Sequence, residues 1–156
     1  MKKWFSLLTI FMICCSIHSA FATNQISLYS QYAYLVDPQT HIVYFDQKSE
    51  EQIYPASMTK IMTVALSLEK IDDLKKEVNI ETIDLDGLYE MGASVAGLMV
   101  GERVTYEDLL YGALLPSGAD ACNALARLTY GSQDAFVKAM NLKVQKLGLK
   151  HTHFAN

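Results

Sequence analysis

The chain has 156 residues, of which 51% are apolar and 19% are charged, and its formal net charge at pH 7 is −4. This length suits one domain, and this share of apolar residues predicts a packed core rather than intrinsic disorder. An acidic chain without a cluster of lysines and arginines is a poor match for proteins that bind nucleic acid. We therefore expect no nucleic-acid partner.

The N-terminus has the pattern of a secretory signal peptide. Two lysines precede an apolar run from Trp4 to Ile17, and Ala20-x-Ala22 follows as a cleavage signal. The run is shorter than the roughly 20 residues that a membrane-spanning helix needs. The sequence therefore predicts a signal peptide over residues 1–22, with an uncleaved N-terminal anchor as the alternative.

Removal of this leader leaves a domain of residues 23–156, exported to the extracytoplasmic face of the cell envelope. Loss of Lys2 and Lys3 changes its formal charge from −4 to −6. Two of the three cysteines leave with the leader, so Cys122 has no cysteine with which to form an internal disulfide. We expect Cys122 to pack as an apolar side chain.

The exported domain begins with a predicted β-hairpin. The runs YAYLV and HIVYF flank the turn sequence that starts at Asp37 and Pro38. Proline presets the backbone of such a turn, and aspartate favours its first position. Two strands alone make a marginal sheet, yet the rest of the sequence offers no evident strand to pair with them.

The remainder is mainly helical. A helix that begins near Ser57 has apolar residues on most sides, which predicts burial on most sides. The later predicted elements are a short strand within Val78–Ile83, a helix that Thr105 caps and Pro116 ends, a helix from Ser117 to about Tyr130, and a helix from Ser132 to Gly148.

The helix that begins near Ser57 contains the pattern Ser-x-x-Lys twice. Ser67 lies in mid-helix, where a hydroxyl usually bonds to the carbonyl four residues earlier, and Lys70 lies at the helix end, where a cation favours the dipole. Ser57 instead lies at the positive end of the dipole, with Lys60 one turn away on the same face. Two interpretations of Ser57 and Lys60 stay open: a nucleophile with its base, or a capping serine beside a solvated lysine.

A second hydroxyl occurs in the stretch LLPSGADACN. Ser117-x-x-Asp120 matches a capping box, which predicts a structural role. The alternative is that Ser117 passes protons between Lys60, Ser57 and a leaving amine.

Together these motifs resemble those of the serine-type D-alanyl-D-alanine carboxypeptidases, the low-molecular-weight penicillin-binding proteins of peptidase family S11. The resemblance runs from about Ala33 to Asn156 and includes AYLVDPQTHIVYFDQKSEEQIYPASMTKIMT, GASVAGLMVGERVTYEDLLYGALLPSGADACNALA and KLGLKHTHFAN. It implies an α+β fold of the β-lactamase/DD-peptidase (transpeptidase-like) type. That fold would be incomplete here, with an N-terminal hairpin and a helical lobe but without the C-terminal sheet strands.

The resemblance also implies roles for the site residues. Ser57 would be the acylated nucleophile, Lys60 its general base, and Ser117 a helper in proton transfer. The substrate implied is a peptidoglycan stem peptide ending in D-Ala-D-Ala, and β-lactam antibiotics would acylate the same serine. No metal or organic cofactor is implied, and His151 and His153 lack the further ligands that a zinc site needs.

Two departures from the family pattern stand out. Ala119 occupies the place where the second motif usually has asparagine, and the third motif, Lys-Thr-Gly, is absent. We therefore expect an N-terminal fragment or a truncated product that is inactive by itself, from a full-length protein with possible peripheral membrane association. The alternatives are a β-lactamase or endopeptidase on the same scaffold, and a degenerate homologue that binds peptidoglycan without turnover.

Overall fold

The computed structural model describes residues 28–155. The predicted signal peptide, residues 1–22, lies outside the described residues. The chain divides into two units, Met1–Glu51 and Gln52–Asn156, and each is described by itself. No helix of the described part is both long enough and apolar enough to cross a bilayer.

The first unit contains the predicted hairpin. Strands β1 (Ala33–Val36) and β2 (Val43–Gln47) pair antiparallel. The carboxylate of Asp37 accepts the backbone N–H groups of Gln39 at 2.8 Å and Thr40 at 2.9 Å, which closes the turn between the strands. The hairpin and its turn residue are therefore confirmed.

The second unit contains the helices and a further pair of short strands. Its elements in chain order are a 3₁₀ turn at Ala56–Met58, α1 (Thr59–Leu68), β3 (Glu77–Asn79), α2 (Thr82–Leu85), β4 (Arg103–Thr105), α3 (Tyr106–Leu114), α4 (Ala119–Tyr130) and α5 (Gln133–Lys146). Strands β3 and β4 pair antiparallel. The sequence did not predict β4, because its three residues run directly into the cap of α3.

Three helix boundaries follow the predicted caps, at Thr105, Gly131 and Ser132. The hydroxyl of Thr105 accepts the N–H of Asp108 at 3.1 Å, and the Asp108 carboxylate accepts the N–H of Thr105 at 2.8 Å. The hydroxyl of Ser132 accepts the N–H of Ala135 at 3.1 Å at the start of α5. Gly131 ends α4 in the left-handed conformation, at φ 85°, which glycine adopts without steric cost.

Helix α4 lies at the centre of the core. Its residues Ala121, Ala124 and Leu125 are fully buried, and the first core cluster joins them to side chains of β4, α3 and the segment after β3, namely Ile80, Val104, Leu109, Leu110 and Ala113. A second cluster connects α1, α4 and α5 through Leu66, Ala126, Phe136 and Met140. The alanines let neighbouring helices approach α4 closely.

Helix α1 is less buried than its apolar sequence predicts. It packs against α3, α4 and α5, and its buried residues are Thr63, Leu66 and Ser67. Ile61 and Leu68 are 64% and 46% exposed. The prediction of burial on most sides is therefore wrong for the described chain, because these neighbours cover one face of α1 only.

A buried ion pair connects α4 to the segment after β3. Asp84 is 1% exposed and accepts hydrogen bonds from Arg127 Nε at 2.8 Å and Nη2 at 2.7 Å. The same guanidinium donates to the Glu81 carboxylate at 2.8 Å and to the Asn79 carbonyl at 3.0 Å. The hydrogen bonds that Arg127 donates to Asp84 raise the pKa of Arg127, and burial opposes that rise.

We predict that Arg127→Ala lowers the free energy of unfolding by about 3 kcal/mol, because it leaves the Asp84 carboxylate buried without its partner. Arg103→Ala is the matched control, since Arg103 pairs with Glu77 at the surface and such pairs contribute about 0–1 kcal/mol. Urea unfolding of both variants measures the difference. Equal losses would contradict the prediction.

Candidate active site

Ser57 lies in the 3₁₀ turn that leads into α1. The N-cap of this turn is Pro55 and that of α1 is Met58, and neither makes a side-chain capping bond. Ala56, just before the serine, has a positive φ of 48°, which non-glycine residues adopt rarely and often at functional sites. The interpretation of Ser57 as a capping residue is therefore wrong, and its hydroxyl is available for other contacts.

Lys60 lies one turn further along, where it reaches back to Ser57. Its Nζ donates a hydrogen bond to Ser57 Oγ at 3.4 Å. This distance is near the upper limit for a hydrogen bond. Lys60 is half-buried rather than fully solvated, so the interpretation of Lys60 as a freely solvated lysine is also wrong.

Ser117 completes the group from a distant part of the chain. Its Oγ donates a hydrogen bond to Ser57 Oγ at 2.8 Å, across a separation of 60 residues. Ser117 has a φ of 61°, so it too adopts the left-handed conformation that non-glycine residues rarely adopt. The Oγ of Ser57 thus has both an amine and a second hydroxyl within hydrogen-bond distance.

The predicted capping box of Ser117 and Asp120 is wrong. The N-cap of α4 is Gly118, which has no side chain with which to cap the helix. The carboxylate of Asp120 instead accepts backbone N–H groups from residues 96, 97 and 98 at 2.8, 3.0 and 3.0 Å. The Ser-x-x-Asp spacing is the same whether the aspartate caps the helix or binds a loop that is distant in sequence. The position of the loop of residues 96–98 decides between these two roles.

The backbone after Ser117 is bonded to two neighbouring segments. The N–H of Gly118 donates to the Gly112 carbonyl at 2.9 Å, and the N–H of Ala119 donates to the Ser94 carbonyl at 2.8 Å. A Cβ at Gly118 would lie only 2.7 Å from the Gly112 oxygen. This position therefore requires glycine because of close packing, although its own φ is negative.

Cys122 lies on α4 and packs against the first core cluster, as expected for an apolar side chain. Burial raises the pKa of its thiol to about 11, while the nearby charge of Lys60 acts to lower it. The thiol therefore stays protonated at neutral pH and is a poor nucleophile.

The other Ser-x-x-Lys pair has no comparable arrangement. Ser67 is 0% exposed and its Oγ has no hydrogen-bond partner among the described residues, so the predicted bond to the carbonyl four residues earlier is wrong. The amine of Lys70 lies 5.5 Å from the centre of the Tyr130 ring, where a cation interacts with the aromatic face. Within residues 28–155 no group of three or more potential metal ligands is found.

Comparison with known proteins gives one family. A family model described as D-alanyl-D-alanine carboxypeptidase, peptidase S11, matches residues 19–156. The chain is 37% identical over 163 residues to D-alanyl-D-alanine carboxypeptidase DacF of Bacillus subtilis strain 168, which covers 100% of this chain and 42% of that protein. It is 39% identical over 126 residues to DacA of Escherichia coli K12, covering 77% of this chain and 31% of that protein.

Solved structures agree with this result. The crystal structure of the Streptomyces K15 DD-transpeptidase matches 83% of this chain and 52% of that protein, with a TM-score of 0.76 and 31% identity. The expected α+β fold of the DD-peptidase (transpeptidase-like) type is therefore confirmed over the matched part. The chain spans about half or less of the length of the relatives that it matches.

We predict that Gly118→Ala lowers the free energy of unfolding by about 1–3 kcal/mol, because the new methyl group overpacks against backbone that cannot move freely. Gly112→Ala is the matched control, because the Gly112 carbonyl accepts the N–H of Gly118. Its Cβ would meet side-chain methyl groups at 3.2 and 3.3 Å, and alanine favours the helix interior. Urea unfolding should show the larger loss for Gly118→Ala, and the reverse order would contradict this explanation.

Proposed function

Because the chain belongs to the D-alanyl-D-alanine carboxypeptidase family, we propose that the protein is a serine-type D-Ala-D-Ala carboxypeptidase that acts through Ser57. The observation that carries this proposal is the convergence of Lys60 Nζ and Ser117 Oγ on Ser57 Oγ. A serine hydroxyl is a weak nucleophile unless a neighbouring base takes its proton. Among the residues that the structure describes, Lys60 and Ser117 are the two whose side chains form hydrogen bonds with Ser57 Oγ.

In the proposed reaction, Ser57 Oγ attacks the carbonyl carbon of the peptide bond between the two D-alanines of a peptidoglycan stem peptide. Lys60 accepts the proton from Ser57. Ser117 delivers its proton to the amine of the departing D-alanine and takes the proton held by Lys60 in its place. The carbon–nitrogen bond breaks, and an ester remains between the rest of the peptide and Ser57. Water then hydrolyses this ester and frees the serine for another cycle.

The position of Ser57 also favours charge development during the attack. The residue lies in the turn at the start of α1, at the positive end of the helix dipole. Its own backbone N–H would supply one donor to the oxyanion that forms on the substrate carbonyl. A β-lactam carbonyl would meet the same groups, so we propose that β-lactam antibiotics acylate Ser57.

The two relatives described above are named carboxypeptidases, which favours this activity over that of a β-lactamase or an endopeptidase. The hydrogen-bonded group of Ser57, Lys60 and Ser117 favours turnover over a purely binding role. From the signal-peptide pattern of residues 1–22, we further propose that the protein acts outside the cytoplasm.

We predict that Ser57→Ala abolishes covalent labelling of the full-length protein by a fluorescent penicillin, because no other hydroxyl of residues 28–155 contacts both a lysine amine and a second hydroxyl. Ser117→Ala should slow labelling by about 10²-fold or more, the usual contribution of a positioned proton-transfer group. Ser67→Ala, in the helix that follows Ser57, is the matched control and should label at the normal rate. Labelling of Ser57→Ala at the rate of the unaltered protein would refute the assignment of the nucleophile.

We also predict that Ala119→Asn increases the acylation rate by about 10-fold or more. The amide that the family usually has at this position would give Lys60 or the substrate a hydrogen-bond partner, and bonds to charged groups contribute about 1.5–3 kcal/mol. Ala119→Leu introduces similar bulk without the amide and serves as the control. Equal rates for the two variants would argue against a role for the amide.

A further inference from the structure

Asp120 is a buried carboxylate whose bonds are all to backbone amides. It is 1% exposed. One oxygen accepts the N–H groups of Ala96 at 2.8 Å and Ala121 at 2.9 Å, and the other accepts those of Gly97 and Leu98, both at 3.0 Å. No lysine, arginine or histidine of the described chain forms an ion pair with it. Burial of a carboxylate costs free energy unless hydrogen bonds compensate its charge. The four backbone amides provide that compensation for Asp120.

These contacts join loop 94–98 to the first residues of α4. Three amides of the loop donate to Asp120, and the Ser94 carbonyl accepts the N–H of Ala119 at 2.8 Å in the opposite direction. We call this contact region the loop–helix junction. It restrains both the loop and the start of α4, because each supplies donors as well as acceptors to the other.

The loop–helix junction lies immediately after Ser117 in the chain. Gly118 and Ala119 separate that serine from Asp120, and both of their N–H groups are bonded to neighbouring segments. A Cβ on Gly118 would also lie 2.8 Å from the Cβ of Ala96, so the loop packs directly against this backbone. Ser117 itself has a positive φ, a conformation that persists only where the surroundings enforce it.

We propose that Asp120 is a positioning residue for Ser117. Its carboxylate holds loop 94–98 against the start of α4, and the junction in turn holds Ser117 Oγ at 2.8 Å from Ser57 Oγ. Asp120 acts through the backbone and does not touch the reacting groups. The effect of Asp120 on the acylation rate rests on the proposed function, whereas its effect on the backbone conformation around Ser117 does not.

The variant Asp120→Asn tests this role with little change in side-chain volume. Each carboxylate oxygen accepts two N–H groups, so the amide of asparagine would place a donor against two donors. Asp84→Asn is the matched control, because Asp84 is equally buried at 1% exposure and its partner Arg127 lies about 10 Å further along α4. Both variants should be less stable than the unaltered protein, and only Asp120→Asn should affect Ser117.

Two measurements on the full-length protein separate positioning from general destabilisation. Hydrogen exchange should speed up at least tenfold at the amides of Gly118 and Ala119 in Asp120→Asn and stay unchanged in Asp84→Asn. The rate constant for acylation by a fluorescent penicillin at saturation should fall at least tenfold in Asp120→Asn, with little change in the concentration that gives half of the maximal rate. Unchanged exchange in Asp120→Asn, or equal slowing of acylation in Asp84→Asn, would overturn the proposal.

A second variant covers the case in which Asp120→Asn fails to fold. Ala119→Pro leaves Asp120 intact, and proline suits the first position of a helix, but its ring replaces the N–H that donates to Ser94. It should loosen the Gly118 amide and slow acylation in the same way, and normal values for both would overturn the proposal. If the unaltered protein is not acylated at all, the proposed function fails, and the exchange measurements still decide whether Asp120 positions Ser117.

Discussion

Three polar residues on one face of α4 hold the segment 79–98, which contains α2 and the loop that follows it. Asp120, Asn123 and Arg127 lie at i, i+3 and i+7, on one face of the helix. Asp120 accepts amides of residues 96–98, Asn123 donates to the Asp84 carbonyl at 3.1 Å, and Arg127 binds the Asp84 carboxylate. The remaining faces of α4 carry the small and apolar residues of the core. One helix therefore supports the core with some of its faces and, with another, holds a stretch of chain whose regular structure is mainly the single turn of α2.

The candidate active site depends on this arrangement at its N-terminal end. Ser117 lies just before α4, and Ser57 lies just before α1. The packing of α1 against α4 brings these helix starts together, and the short contact between the two hydroxyls follows from it. Because a shift of about 1 Å can cost a catalytic group much of its effect, the rigidity of the start of α4 matters as much as its position.

Local patterns allowed good predictions wherever the interaction itself is local. The turn at Asp37, the capping box of Thr105 and the left-handed Gly131 each involve groups within a few residues of one another. The same reasoning was wrong for Ser117 and Asp120, whose spacing matches a capping box but whose partners are distant in sequence. The Ser-x-x-Asp spacing predicts a capping box correctly only when no group distant in sequence forms hydrogen bonds with the same side chains.

The amino-acid sequence by itself determined the hairpin, most helix boundaries, the family resemblance and the choice of Ser57 with Lys60 over the second Ser-x-x-Lys pair. Tertiary structure alone decided that Ser117 contacts Ser57, that α1 is covered on one face, and that Asp120 is buried. Polar residues at helical spacing are typical of a solvent-exposed face. On α4 Asp120 is buried and Asn123 and Arg127 are half-buried instead, because the segment that covers them supplies partners for their hydrogen bonds, and no local pattern shows where that segment folds.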